Sequence, residues 1–352
     1  MTRRPDDSTA LYQLSRFAVL RVTDDGFVLE SPLNNKQFPV RGASIMRILD
    51  ALSHPVRLES LLASVGEPER EALRSFFKTC EEAKLLTRLR DDGLTEEQVG
   101  PLGYWEFHDL LFHASTRMGR NRRPVGGTYR LKDRLPPEPA FRPDEVGESL
   151  ILPKPDPGQI QMSWTQVMER RRSQYGEGPL TLNALGSFLY WTCRTTRVIE
   201  HGDEAMVQKL YPSGGSLHSL SAYVAIRACD GCTPGLYRYL DREHALRPVS
   251  TSPAVEKLLT DAASSTGGHV QNPAVLLILS ARFPRTAWKY ESIAYRLILL
   301  EIGALLQTMY LAATGLNLRG CALGCGDSDH FARIAGTDYY SETSVGEFLL
   351  GA

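Results

Sequence analysis

The stretch from Ile293 to Leu316 is the most apolar in the chain, yet Arg296, Glu301 and Gln307 interrupt it. Such side chains are costly among lipid tails and tolerable in a protein core, where each can find a partner. The pattern predicts a long buried helix from Tyr290 to Thr314. Just upstream, Ala274 to Ala281 is a near-continuous apolar run of strand length, of the kind covered on both faces. These two elements demand a layered domain around them. The 352 residues, 42 % of them hydrophobic, are enough for two or three domains.

Lys plus Arg number 40 and Asp plus Glu 41, a formal charge of −1. Nothing in that balance calls for nucleic acid as a partner. No apolar stretch follows Met1-Thr2-Arg3-Arg4-Pro5-Asp6-Asp7, so no secretory signal and no membrane partner are expected, and the protein is read as soluble and cytoplasmic. The six cysteines are too few for a disulfide framework in a chain this long. Cys229-x-x-Cys232 and Cys321-x-x-x-Cys325 have spacings a zinc site uses, but buried thiols beside glycine turns are the expectation, with no metal.

Strand patterns run from Phe17 to Val22, Phe27 to Glu30 and Gln37 to Val40, the first two joined by the turn Asp24-Asp25-Gly26. Helical patterns follow from Ala43 to Leu52, Leu58 to Val65 and Glu67 to Ala83. Residues 1–92 thus read as a small winged-helix-like unit, either a packing module or a clamp for an extended peptide. Residues 93–160 read as a connector, because Pro124, Pro136, Pro137, Pro139, Pro143, Pro153, Pro155 and Pro157 disfavour long regular elements there. An aromatic and basic patch, from Tyr104 to His113 and on through Arg117, Arg120, Arg122 and Arg123, is expected to pack that connector onto the next domain. Residues 161–352 alternate helices and strands, which makes the chain α+β.

Three constellations carry chemistry. Arg170-Arg171-Arg172-Ser173 can hold a phosphate through charge-assisted bonds, or be a solvated basic helix end. Pro212-Ser213-Gly214-Gly215-Ser216-Leu217-His218 offers backbone amides without side-chain obstruction, or is a plain glycine turn. Neither a Walker loop nor a Gly-x-Gly-x-x-Gly fingerprint is present. Lys289-Tyr290, expected at the start of the long helix, pairs an amine with a hydroxyl. Burial and the positive helix end would favour the neutral amine there, suiting it as a base.

In this order, with Gly235-Leu236-Tyr237-Arg238-Tyr239, Tyr295-Arg296, Glu301, Gly303 and Gln307, these segments are similar to the SagB-type dehydrogenases, FMN-dependent members of the nitroreductase superfamily. The resemblance covers about residues 160–350. It implies a nitroreductase-like FMN domain, FMN as cofactor, and oxidation of thiazolines or oxazolines in a peptide to thiazoles or oxazoles. It implies Lys289 and Tyr290 as the catalytic pair. It places Arg170, Arg171, Arg172 and Ser173 at the FMN phosphate, Pro212 to His218 along the flavin, and Gln307 and Gly324 in the same site. A homodimer through the long helix, a leader peptide or carrier-bound intermediate as substrate, and a cyclodehydratase partner are also implied. The basic motif is shifted: counting back from Tyr175, Arg171 stands where a serine is expected and Ser173 where an arginine is. Ser219 replaces a proline and Ser221 a glutamate. An NAD(P)H-dependent nitro or flavin reductase and an inactive peptide-binding scaffold stand as alternatives.

Overall fold

A computed structural model describes residues 10–121, 123–142, 147–201 and 204–352. The readings of residues 1–7, Arg122 and Pro143 fall outside them. The chain divides into two compact units, Met1–Val125 and Gly126–Ala352.

The first unit runs β1 (Leu11–Leu14), β2 (Val19–Thr23), β3 (Gly26–Ser31), β4 (Lys36–Val40), α1 (Ala43–Ala51), β5 (Val56–Arg57), α2 (Leu58–Ala63), α3 (Glu67–Glu82), β6 (Leu86–Arg88) and α4 (Phe107–Ser115). The expected hairpin forms, closed by the pair Thr23↔Gly26 with Gly26 at φ 111°, a conformation open to glycine. The sheet β2-β3-β4 is antiparallel, and a second sheet has the order β5-β1-β6. Strand β1 has no local signal; its pairing with β5 and β6 creates it. Tyr12 on β1 meets Phe77 of α3 edge-on at 4.8 Å, inside a core that includes Leu29, Leu49, Leu61, Leu73 and Cys80.

The aromatic patch does not behave as expected. Leu110 packs with Phe17 and Leu33, backed by Leu102 and Trp105, so it folds back on the first unit. Arg120 donates to the Leu33 carbonyl and Arg16 to those of Leu102 and Trp105. The apolar partners available at Phe17 and Leu33 decide this. Residues 93–160 are accordingly divided: 93–125 fall in the first unit and 126–160 in the second.

The second unit runs β7 (Gly126–Gly127), β8 (Leu150–Ile151), α5 (Trp164–Arg170), β9 (Leu180–Thr181), α6 (Leu182–Thr192), β10 (Thr195–His201), β11 (Glu204–Lys209), β12 (Leu220–Ile226), β13 (Cys229–Asp230), β14 (Gly235–Leu240), β15 (Ala245–Ser250), α7 (Ala254–Ser265), β16 (Val275–Arg282), α8 (Phe283–Ala287), β17 (Tyr290–Glu291), α9 (Ala294–Gly315), β18 (Arg319–Leu323), α10 (Ser328–Ala335) and β19 (Glu342–Gly351). Seven strands form one sheet in the order β18-β19-β16-β12-β14-β15-β8, every pairing antiparallel. Alternate residues of β12 and β16 face opposite sides. Val224, Leu277 and Leu279 join a core with Leu185 and Phe188 of α6 and Ile298, Leu305 and Met309 of α9. Tyr223, Leu276 and Ile278 join another with Leu258 and Leu259 of α7 and Phe331 of α10. This double cover explains why all of β16 is buried. Helix α9 is long and apolar enough to cross a membrane by those two measures alone; here its inner face lies in this core.

Two boundaries differ from expectation. Helix α9 starts at Ala294, because Tyr290 and Glu291 pair as a strand with Gly127 and Gly126, and Ser292 turns the chain at φ 63°. Helix α5 starts at Trp164 behind a capping box of Ser163 and Gln166 and ends at Arg170, so Arg171, Arg172 and Ser173 lie past the helix and not in its last turn.

Candidate functional site

Past β11 the chain enters the bend of residues 212–218. Gly215, Ser216 and His218 have φ of 65°, 53° and 45°. Two of these three left-handed residues are not glycine, so the bend is strained and needs outside support. Ser213 Oγ accepts the His218 N–H at 3.0 Å and donates to Glu301 Oε2 at 2.9 Å. Ser219 donates to the same oxygen from its N–H at 3.4 Å and its hydroxyl at 3.1 Å. Buried Arg285 donates to the Leu217 carbonyl, and also to those of Glu138 at 2.9 Å and Ala205 at 3.0 Å.

The glycines are there for room. A Cβ on Gly214 would lie 3.0 Å from Leu297 Cδ1, and one on Gly215 only 2.5 Å from the Tyr290 hydroxyl. Tyr290 therefore reaches the bend itself. Lys289 Nζ lies 5.4 Å from the centre of the Tyr129 ring and 6.0 Å from that of Tyr290. The segment is tied down by the Tyr129 N–H on the Lys289 carbonyl, at 3.1 Å, and by Trp288 Nε1 on the Leu135 carbonyl, at 2.7 Å. One expectation fails here: Lys289 follows the last turn of the five-residue α8 and lies ahead of β17, so it is not in the first turn of α9. The helix-dipole argument for a neutral amine does not apply to it.

Two members of the basic cluster, Arg171 and Ser173, meet a residue outside the sequence prediction. Tyr310 Oη lies 2.9 Å from Ser173 Oγ and accepts the Ala322 N–H at 2.8 Å, while the Arg171 guanidinium sits 5.4 Å from the ring centre. Arg170, Arg172 and Ser173 are exposed, and Arg171 half-buried. No ion pair to a carboxylate engages these three arginines among the described residues. Gln307, exposed, lies one turn before Tyr310, and exposed Gly324 lies just beyond β18 with open space around it.

The predicted residues thus form two groups. Pro212 to His218 and Lys289-Tyr290 meet beside Leu297 and Glu301; Arg170 to Ser173, Gln307 and Gly324 belong to the Tyr310 end of α9. At 1.5 Å per residue, Glu301 and Tyr310 are about 13 Å apart along the helix. Glu301, Arg285 and Tyr310 were outside the predicted site. Glu301 did carry a signal, a lone carboxylate in the most apolar stretch; Tyr310 carried none.

The bend has a distinctive electrostatic setting. Burial pushes the Glu301 carboxyl up. Burial, reinforced by Lys209 and Arg285, pushes His218 down to about 3. Burial opposes charge on Asp241 too, but Lys209 Nζ at 2.6 Å and the Thr195 hydroxyl keep that carboxyl below its usual range. Glu301 Oε1 and His218 Nδ1 are both buried without a hydrogen-bond partner. Each such orphan costs about 1–3 kcal/mol. Behind the bend, β12 and β14 part company beyond the pair Tyr223↔Arg238. There a cavity of about 360 Å³ is lined by His218, Tyr211, Ser221, Lys209, Asp241 and Tyr239, among others. Among the described residues no group of three or more His, Cys, Asp or Glu could hold a metal.

Side-chain-free backbone next to an amine and a hydroxyl suits proton removal from a flat ligand lying on the bend. The arginine cluster suits an anionic group. These features sit in a recognisable class. Residues 171–351 match the nitroreductase family, and the chain belongs to that family of oxidoreductases. Residues 12–122 match a second family, described as cyanobactin oxidase ThcOx, and the two matched segments agree with the resemblance seen in the sequence. The chain is 26 % identical over 179 residues to a nitroreductase-type protein of Methanocaldococcus jannaschii, covering 51 % of this chain and 86 % of that one. It is 26 % identical over 122 residues to the microcin B17-processing protein McbC of Escherichia coli, covering 33 % of this chain and 44 % of McbC. Among solved structures it is similar to the E. coli microcin synthetase McbBCD complex with truncated pro-MccB17 bound. That likeness has a TM-score of 0.44 at 20 % identity, covering 67 % of this chain and 84 % of the other.

Proposed function

We propose that the protein is an FMN-dependent dehydrogenase that converts thiazoline or oxazoline rings of a peptide to thiazoles or oxazoles. The single observation that carries this reading is the Tyr290 hydroxyl placed against Gly215, with Lys289 beside it. The match of residues 12–122 to cyanobactin oxidase and the similarity to a microcin-processing protein support a peptide substrate.

The residues fit FMN. Gly214 and Gly215 give the bend no side chain of its own, so Leu297 and the Tyr290 hydroxyl pack directly on its backbone, and Arg170, Arg171, Arg172 and Ser173, with no carboxylate paired to the arginines among the described residues, form a cluster suited to the FMN phosphate. Bound there, FMN supplies the two-electron acceptor that the oxidation requires. The chain's own task is to orient the ring and move a proton. Lys289 removes the proton from the azoline Cα, and the Tyr290 hydroxyl positions the amine and the ring. Aromatisation of the product drives the step.

The two groups along α9 make sense in a homodimer, where the bend of one copy faces the basic cluster of the other. The face of α9 that carries exposed Tyr295, Leu299, Leu300, Gly303 and Gln307 is the surface such a dimer would bury. A cyclodehydratase that forms the azoline is the expected partner enzyme. A simple nitro or flavin reductase is the second reading, favoured by the likeness to the archaeal nitroreductase-type protein. It has no use for Lys289.

Lys289→Ala tests the assignment. The variant should bind FMN with an unchanged visible spectrum and lose at least 100-fold in azoline oxidation. Full azoline activity in the variant removes the lysine from the reaction. A wild-type protein that fails to take up added FMN removes the flavin as well.

A further inference from the structure

Where the resembled family has proline after the histidine, this chain has Ser219, and the exchange adds two hydrogen bonds. Proline has neither an N–H nor a hydroxyl. Ser219 donates from both to Glu301 Oε2, at 3.4 and 3.1 Å, alongside the Ser213 hydroxyl at 2.9 Å. Three donors therefore converge on one carboxylate oxygen. The other, Oε1, has no partner and lies 3.9 Å from His218 Nδ1, which has none either. These side chains are 2 % and 4 % exposed. The gap is too long for a hydrogen bond and too short for a bridging water; a shift of about 1 Å closes it. The imidazole also packs edge-on against Tyr211, ring centres 5.2 Å apart, and lines the cavity behind the bend.

We propose that Glu301 is a positioning residue: its Oε1 accepts the Nδ1–H of His218, locking that tautomer and leaving Nε2 as a hydrogen-bond acceptor toward the cavity, for an N–H or O–H of the peptide substrate. This role rests on the reading of the bend as the reaction site. The charged and titratable groups around the pair agree with a neutral ring. Lys209 of β11 and Arg285 of α8 both oppose a second proton on the imidazole, and Asp241, which would favour it, is paired to Lys209. Tyr211, raised by burial, stays a neutral phenol.

The test is nitrogen NMR on the full-length, ¹⁵N-histidine-labelled protein, with His218→Gln identifying the signal among eight histidines. The wild type should show a neutral Nδ1–H ring at 218 from pH 5.5 to 8.5. In Glu301→Gln the three donors claim the amide oxygen, so the amide NH₂ must face His218 and the ring should switch to the Nε2–H tautomer. A wild-type ring that is Nε2–H, or that titrates in this range, overturns the proposal without any variant having to fold. So does a folded Glu301→Gln protein with an unchanged tautomer. FMN uptake is followed in the same samples by visible absorbance. Failure of the wild type to bind flavin defeats the reading of the site and leaves the tautomer result standing.

Discussion

At Gly215 two constraints coincide: a left-handed φ of 65° and a Tyr290 hydroxyl 2.5 Å from where a Cβ would be. The backbone term alone costs about 1–2 kcal/mol for alanine, and the collision must also displace the tyrosine. Gly215→Ala should lower unfolding stability by about that amount in urea titrations and reduce turnover at least tenfold. His218 gives a second prediction. Its pKa is depressed from 6.5 to about 3, so the unfolded chain binds the extra proton first as pH falls. The stability this neutral ring contributes is complete above pH 6.5 and is lost progressively down toward pH 3. By pH 5 the loss should reach about 2 kcal/mol. His218→Gln should lose correspondingly less stability between pH 7 and pH 5 when both proteins are unfolded in urea.

Among elements, the short α8 does more than its five residues suggest. It carries Arg285, whose guanidinium collects the carbonyls of Leu217, Ala205 and Glu138, joining the bend, the β11 strand and the proline-rich segment. Arg282, at the end of β16, holds the carbonyls of Pro139 and Ala140 and the Glu138 carboxylate. Prolines keep this segment out of regular structure, and buried arginines give its carbonyls their partners. Arg285→Met keeps the bulk and strands three acceptors. It should cost about 3 kcal/mol and weaken FMN binding, read as a lower melting temperature and a raised Kd in flavin titrations. The same logic explains β17: Tyr290 is held by backbone pairing to Gly127, where helical hydrogen bonds had been expected.

For the whole molecule, the decisive question is whether one chain suffices. The bend and the basic cluster lie at different levels of α9, and Leu300 on its outer face is 59 % exposed. Leu300→Asp should leave the far-UV circular dichroism unchanged, convert a dimer to a monomer in sedimentation velocity, and abolish FMN retention on desalting. A dimer that persists in the variant, flavin included, would place the interface elsewhere.

Much of this molecule is local enough to be written in the sequence. Helical periodicity marked α1 to α3, and an apolar run marked β16. The start of α6 is equally local: the Thr181 hydroxyl accepts the Ala184 N–H as its N-cap. The candidate site segments could be singled out because glycines, clustered arginines and a Lys-Tyr pair are short, contiguous signals. Other features depend on residues far apart in the chain. Strand β19, Glu342–Gly351, mixes Glu, Ser and Gly with its apolar residues and becomes central only through pairing with β16 and β18. Glu301 becomes part of the bend only because α9 passes beneath Ser213 and Ser219, and Tyr310 becomes the anchor of Ser173 only because α5 ends beside it. Periodicity and spacing report which way a side chain faces along its own element; which buried donor meets which buried acceptor is decided when the elements pack.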